Sequence, residues 1–237
     1  MSEQSYSSRN RAPERSIRPQ ARSMRNFGSN QQRISHLNEN RIRVSSDSFL
    51  QQGLRAEVLE KGLTAFRKAL SNGETDSMIF TIIDFELPSS EKRLWVIDLE
   101  SGELMHHEQV THGRNSDKNN DGYVDPGGLS NIDMSKQSNI GLLRTGETYY
   151  SSKFNGTSLK MDGLEDGFND NARSRWIVMH PADYADVEEG QKTGRSWGCP
   201  ALDPDVSGDV IQTIQGGSLI FQYYPDPDWL RRSNYLN

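Results

Sequence analysis

The fold is decided by residues 78–87, MIFTIIDFEL, and by residues 93–104, RLWVIDLESGEL, which follow a Pro-Ser-Ser turn region. Both segments are rich in the β-branched and aromatic residues that favour strands, and turn-forming residues bound them. A further extended run leads from Leu104 to His112. Short strand-type segments joined by tight turns predict a mainly β domain built around a sheet.

The remainder of the chain continues this pattern. A small helix is predicted from Val206 to Ile214, because Gly216 and Gly217 follow it and end the helical spacing. Four more segments have the apolar character of strands, namely residues 140–143, 158–161, 176–180 and 218–224.

A helix is also predicted ahead of the sheet. Ser48 is a suitable N-cap and Gly73 a suitable stop. We therefore divide the chain into a disordered Arg-rich arm (1–46), a helical brace (47–74) and the β-rich domain (75–237). The apolar residues that recur at helical spacing are Leu50, Leu54, Val58, Leu59, Leu63, Phe66 and Leu70.

The net charge of −6 is distributed unevenly along the chain. Residues 1–50 hold nine Arg, no Lys and four acidic residues (9 − 4 = +5), which leaves −11 for the rest. The arginines are separated by Ser, Asn and Gln, which is typical of a solvated disordered segment, so we expect no nucleic-acid partner. Residues 1–30 contain no apolar core of a signal peptide, and therefore the export route is not predicted.

The composition also limits the class of protein. Hydrophobic residues make up 33% of the chain and the mean hydropathy is −0.79, which indicates many loops and a polar surface. No stretch approaches the roughly 20 apolar residues that a transmembrane helix needs. We expect no transmembrane segment.

Cys199 is the single cysteine, and it lies in residues 194–201, GRSWGCPA. A glycine before the thiol and a proline after it predict a turn with exposed backbone amides, which could donate to an oxyanion. A thiol needs a neighbouring base, because an ordinary cysteine is mostly protonated at neutral pH. His180 is the candidate, since it ends the apolar run that starts at Arg175.

Each of these two residues has an ordinary structural alternative. A lone cysteine is more often a small buried apolar residue. A lone histidine at the end of a strand is more often structural than catalytic. The residues by themselves leave both interpretations open.

At these residues the sequence resembles the murein L,D-transpeptidase catalytic-domain family. The resemblance spans about residues 79–224 and includes the two strand segments above and the motif GRSWGCPA. It also includes His112-Gly113-Arg114-Asn115-Ser116, Leu129-Ser130-Asn131 and the run GLEDGFN at residues 163–169. It implies a twisted β-sandwich with a small helix.

The resemblance implies a role for each matching residue. Cys199 would be the nucleophile, His180 the general base, and the amides of Trp197, Gly198 and Cys199 the oxyanion hole. The third, orienting group is commonly a backbone carbonyl in this family and is not assigned. No cofactor would be required.

The chain departs from the family pattern around the cysteine. Many members have His before the Gly-Cys pair and Arg soon after it, whereas this chain has Trp197 and then Pro200-Ala201-Leu202. The substrate carboxylate would then be held by another cation. The substrate-binding candidates are Arg195, Ser196, His112 and Arg173, with Arg175 as a further cation.

A second motif predicts a calcium site as an alternative to an ordinary Asx/Gly-rich loop. Residues 117–125, DKNNDGYVD, follow the first half of an EF-hand-type loop, but the twelfth position is Gly128 instead of the usual Glu. Any calcium would order the loop without entering the chemistry. The candidate ligands are Asp117, Asn119, Asp121, Tyr123 and Asp125.

We therefore expect a peptidoglycan stem-peptide L,D-transpeptidase that forms a cysteine thioester and acts at the bacterial cell wall. One alternative is an L,D-carboxypeptidase or exchange enzyme used as a wall-targeting effector. Its delivery by a secretion or contractile-injection apparatus would use residues 1–45. Another alternative is a non-catalytic wall-binding or particle-structural module.

Overall fold

The computed structural model describes residues 41–43 and 46–237. Almost all of the predicted arm, and with it the delivery role of residues 1–45, lies outside the described residues. The helices are α1 (Ser46–Gln51), α2 (Ala56–Asn72), α3 (Pro204–Ile214) and α4 (Pro227–Arg232), with a 3-10 turn at Asp183–Ala185. The strands are β1 (Ile79–Asp84), β2 (Leu94–Asp98), β3 (Glu103–Glu108), β4 (Gly141–Ser151), β5 (Gly156–Gly163), β6 (Val178–Pro181), β7 (Ala201–Leu202) and β8 (Leu219–Tyr223).

The strands form an eight-stranded sheet in the order β3-β2-β1-β8-β4-β5-β6-β7. Two neighbouring pairs are parallel, β1 with β8 and β6 with β7, and the others are antiparallel. The prediction of a mainly β fold with few helices is confirmed. None of the described helices is both long and apolar enough to cross a membrane.

One face of the sheet is covered by the helices that flank it in sequence. Strand residues alternate between faces, so Phe80 and Ile82 point to this side together with Phe221 of β8. Phe66 of α2 meets Phe80 with ring centroids 5.1 Å apart, and Trp229 of α4 lies 5.7 Å from the ring centroid of Phe221. The sheet and the helices thus share one buried apolar core.

Helix α3 packs against the opposite face of the sheet. Val210, Ile211 and Ile214 of this helix are buried in one cluster with Ile83 of β1 and Met161 of β5. Asp203 caps the helix by accepting the Asp205 amide, and Pro204 occupies its first turn. The predicted small helix is confirmed, and it begins two residues earlier than expected.

The predicted single helix over residues 48–73 is wrong, because the structure has two helices there. Ser48 lies inside α1, and residues 52–55 between Gln51 and Ala56 are not helical. At the break, the Gln52 carbonyl accepts the indole N–H of the buried Trp95 at 3.1 Å. Leu50 is exposed, but Gly73 caps α2 in the left-handed conformation as predicted. The boundary at residue 75 stays a prediction.

Strand β4 is much longer than the predicted residues 140–143. Most residues in its second half are at least partly exposed, and many of them are polar. This weakens the apolar signal that marks a strand in sequence. It continues because β5 pairs with it to Ser151, opposite Gly156. The two strands form a long hairpin whose turn, residues 152–155, reaches the cysteine region.

The close contact between α2 and the sheet depends on Gly62. A Cβ atom there would lie 3.2 Å from Phe80 Cε1 and 3.3 Å from both Ile82 Cδ1 and Phe221 Cδ1. We expect Gly62→Leu to lower the free energy of unfolding by roughly 1–3 kcal/mol through overpacking. Gly208→Ala in α3 is the control, because a Cβ atom at that position would have no other atom within 4 Å. This control should raise the free energy by about 0.5–1 kcal/mol, and urea unfolding measures both.

Candidate active site

The Cys199 turn opens into a cleft of about 640 Å³. Its walls come from the β4–β5 hairpin, from the segment that leads into β6 and from the cysteine turn itself. The cleft is lined by Tyr149, Ser151, Lys153, Phe154, Arg175, Trp176, Ile177, Val178, His180, Tyr184, Arg195, Ser196, Trp197 and Cys199.

Cys199 lies at the base of this cleft with 8% of its surface exposed. Its thiol donates a hydrogen bond to the Trp176 carbonyl oxygen, with the sulfur 3.6 Å from that oxygen. Burial raises the pKa of the thiol, and the Val178 amide and the charges of Lys153 and Arg175 only partly oppose this rise. The resting Cys199 side chain is therefore a neutral thiol at neutral pH.

His180 lies in β6, and parallel pairing joins it to Ala201, two residues after the cysteine. Its Nδ1 donates to its neighbour's carbonyl, Pro181 O, at 2.8 Å, which leaves Nε2 as the unprotonated, basic nitrogen. The ring stacks on Phe154 with centroids 3.5 Å apart. Burial lowers the pKa of His180 to about 4, although the Pro181 carbonyl opposes this.

The structure brings the two predicted catalytic residues into one cleft, but no hydrogen bond links them. The thiol is engaged with the Trp176 carbonyl instead. Both groups are neutral near pH 7, so the resting site holds no preformed thiolate–imidazolium pair.

The three predicted oxyanion-hole amides are not equivalent. The Gly198 amide donates to Ser196 Oγ at 3.0 Å, and this hydroxyl in turn lies 2.6 Å from the Cys199 carbonyl oxygen, to which it donates. Ser196 is buried and holds the turn in shape, but it also lines the cleft, and its role in substrate binding stays a prediction. The amides of Trp197 and Cys199 donate to no other residue in the described part of the chain.

His112 does not line the cleft, so its predicted place in substrate binding is wrong. It is fully buried, its Nδ1 accepts from Arg93 Nη2 at 2.8 Å, and its Nε2 donates to Asp117 Oδ2 at 3.3 Å. Burial, together with the Arg93 charge, lowers the pKa of this imidazole. The His112 carbonyl accepts the Ser196 amide at 2.9 Å, which connects the buried group to the cysteine turn.

The three candidate arginines occupy different surroundings. Arg173 lies outside the cleft in ion pairs with Asp162 and Glu147, so it is not placed to bind a substrate there. Arg195 lines the cleft, and its Nη1 donates to the Asp117 and Arg114 carbonyls. Arg175 also lines the cleft and is half-buried.

The residues predicted to bind calcium use their carboxylates within the loop. Asp117 accepts the backbone amides of Asp121 and Gly122. Asp121 accepts the Tyr123 amide, and Asp125 accepts the Lys118 amide. The described residues contain no group of three or more His, Cys, Asp or Glu side chains placed to hold a metal ion. These bonds from carboxylates to backbone amides are those of an ordinary Asx/Gly-rich loop. The calcium site stays an untested prediction.

Several cleft residues gave no signal in the sequence. Phe154 and Lys153 lie in the β4–β5 turn, and only the tertiary pairing of that hairpin brings them beside His180. The Pro181 carbonyl, which orients the imidazole, is a backbone group and carries no side-chain signature. Trp176 is 67% exposed and adopts a positive φ of 56°, so the strand predicted from residue 176 begins only at Val178.

Comparison with known proteins identifies the family. The family model described as the L,D-transpeptidase catalytic domain matches residues 50–223, which is more than half of the chain. The chain therefore belongs to the L,D-transpeptidase catalytic-domain family, as the sequence motifs predicted. No curated protein matches it.

Solved structures show more distant likenesses. An L,D-transpeptidase from Mycobacterium smegmatis is 12% identical, with a TM-score of 0.39, and the match covers 62% of this chain and 59% of that one. One from Stackebrandtia nassauensis is 13% identical, with a TM-score of 0.34 and coverage of 69% and 66%. Bd1075 from Bdellovibrio bacteriovorus is 11% identical, with a TM-score of 0.39 and coverage of 63% and 50%. The chain thus spans less than two thirds of the length of these proteins.

Gly198 provides a test of the cysteine turn. Its φ is 124°, and a Cβ atom would lie 2.6 Å from the Gln137 carbonyl oxygen and 2.9 Å from Ile177 Cδ1. We expect Gly198→Ala to displace Cys199 and to lower its rate of acylation by a cysteine-directed substrate at least about tenfold. Gly190→Ala is the matched control, because Gly190 also has a positive φ but no atom lies within 4 Å of its Cβ position. Equal acylation rates for the two variants would contradict the steric argument.

Proposed function

We propose that this chain is a peptidoglycan stem-peptide L,D-transpeptidase that works through a thioester on Cys199, with its place of action at the bacterial cell wall. The observation that carries the proposal is the common placement of Cys199 and His180 in one cleft, with the imidazole oriented by the Pro181 carbonyl. This leaves Nε2 free to act as a base. Membership of the family supplies the substrate class.

The first half-reaction would cleave the peptide bond between the third and fourth stem residues. His180 Nε2 takes the thiol proton while the sulfur attacks the third residue's carbonyl carbon. The resulting oxyanion accepts from the free amides of Trp197 and Cys199. When the C–N bond breaks, the protonated imidazole gives its proton to the departing amine, and the third residue remains on the sulfur as a thioester.

The second half-reaction would regenerate the thiol. An acceptor amine attacks the thioester carbonyl, His180 takes a proton from the amine, and the C–S bond breaks. The thiolate then recovers the proton from the imidazole. Water in place of the amine would give a carboxypeptidase, and a free amino acid would give an exchange enzyme. These differ from the transpeptidase only in the acceptor.

Mass spectrometry of tetrapeptide muropeptides tests the acyl-enzyme directly. The unmutated protein should form crosslinked dimers, or tripeptide or exchanged products if water or an amino acid is the acceptor. Cys199→Ala should form none, because the thioester requires the sulfur. Intact-protein mass spectrometry should detect the acyl adduct on the unmutated chain alone.

A second candidate function has its own supporting observation. Cys199 is buried, its pKa is raised, and its thiol is bonded to the Trp176 carbonyl, as suits a non-catalytic wall-binding module. If several stem-peptide types give neither product nor adduct while the protein is folded, the module is favoured. Any Cys199-dependent product favours the enzyme.

The pH dependence of kcat/KM tests the base. His180 must be neutral to accept a proton, and its pKa is about 4 in the folded protein, below its usual value. Activity should therefore persist from neutral pH to about pH 5 and fall about tenfold per unit at pH values well below 4. His180→Gln should lower kcat/KM by roughly 10²–10⁴-fold. An acid limb near pH 6.5 would contradict the buried-imidazole account.

A further inference from the structure

The charge of the cleft is opposite in sign to that of the chain. The protein carries a net charge of −6, with 33 acidic and 27 basic residues. The charged side chains that line the cleft are Lys153, Arg175 and Arg195, and no Asp or Glu joins them among the lining residues. A positively charged cleft wall raises the local concentration of negatively charged ligands, even when the protein as a whole is negative.

The three cations differ in how far they are already engaged. Arg195 donates to two backbone carbonyls through Nη1. Arg175 donates through Nη1 to Ser130 O and through Nη2 to Gln137 O, but its Nε is buried and bonds to nothing in the described chain. With a third bond from Nη2 to Ser135 Oγ, these contacts fix the loop of residues 130–137, while the Nε–H stays unused.

Lys153 is the most available of the three. It is exposed in the β4–β5 turn, and its Nζ lies 5.1 Å from the ring centroid of Phe154 and 5.8 Å from that of Trp197. Neither Lys153 nor Arg175 forms an ion pair with any described acidic residue. Both lie close enough to Cys199 to lower the pKa of its thiol.

A half-buried guanidinium without a counter-ion is costly, and an anionic ligand would compensate that cost. Such a ligand would lie near Cys199, because both cations line the same cleft as the thiol. Stem peptides offer such groups at the C-terminus, at the second residue and, where the third residue is a diamino diacid, on its side chain. Each of these carboxylates can also occur as a neutral carboxamide.

We propose that Arg175 and Lys153 form a carboxylate-binding subsite beside Cys199, so that the cleft takes free-acid stem peptides and discriminates against their amidated forms. This inference rests on the proposed function for its substrate class. Lys153 contributes an exposed charge to the cleft wall, and Arg175 contributes a half-buried guanidinium that its carbonyl contacts hold in place. Amidation of the recognised group removes its charge and places an N–H₂ group against these donors.

The experiment compares tetrapeptides that differ by one carboxamide. Titration calorimetry with the Cys199→Ala protein measures binding without turnover. The free-acid peptide should bind roughly ten- to a hundredfold more tightly than the peptide amidated at the recognised position. The acid's affinity should fall as salt is added, whereas that of the amide should change little. Equal affinities for the acid and amide at all three positions would overturn the proposal.

Variants assign the effect to the named residues. Lys153→Gln, made in the Cys199→Ala protein, should reduce the acid-to-amide affinity ratio severalfold. Lys68→Gln, which removes the same charge on the exposed surface of α2, should leave the ratio unchanged. Arg175→Lys keeps the charge but removes Nε, so it should also reduce the ratio, with thermal unfolding as the check on folding. An undiminished ratio in folded Lys153→Gln protein would overturn the assignment.

Turnover separates this inference from the proposed function. Discrimination in binding without any Cys199-dependent product would retain the subsite and refute the transpeptidase. Product formation with equal kcat/KM for acid and amide peptides would support the transpeptidase and refute the carboxylate subsite. In that case the two cations would act on the thiol alone, and Lys153→Gln would slow alkylation of Cys199 by iodoacetamide at fixed pH.

Discussion

The cysteine turn depends on a buried polar group that never touches the cleft. Arg93, His112 and Asp117 form a hydrogen-bonded chain with almost no exposed surface. Because buried charges are costly without partners, these three side chains fix the segments that carry them. The His112 carbonyl then holds Ser196, and Ser196 holds Gly198 and Cys199.

This support explains how a short, irregular turn can keep a defined shape. The turn has only two residues of regular strand after it, in β7, and these pair in parallel with β6. The pairing sets the distance along the strands between Cys199 and His180, while the buried network sets the path of the chain before the cysteine. Two independent constraints therefore meet at Cys199.

Burial decides the protonation states in the cleft. It raises the pKa of Cys199 and lowers that of His180, so both are neutral at rest. A neutral pair costs less in a buried site than a separated ion pair would. Lys153 and Arg175, which line the cleft, partly offset the desolvation of a thiolate. The same two charges thus act on the thiol and give the cleft its positive sign.

The sequence by itself determined the mainly β class, the small helix near residue 206, the family and the two candidate catalytic residues. The class, the helix and the two residues follow from local patterns, namely β-branched runs, a glycine pair that ends the helix and a Gly-Cys-Pro turn, and the family follows from the resemblance of several ordered motifs. Only the tertiary structure decided that His112 and Ser196 are buried supports, that Arg173 lies outside the cleft and that Phe154 and Lys153 lie inside it. Those outcomes depend on contacts between residues far apart in sequence, such as Arg93 with His112 and the pairing of β4 with β5, which no local pattern encodes.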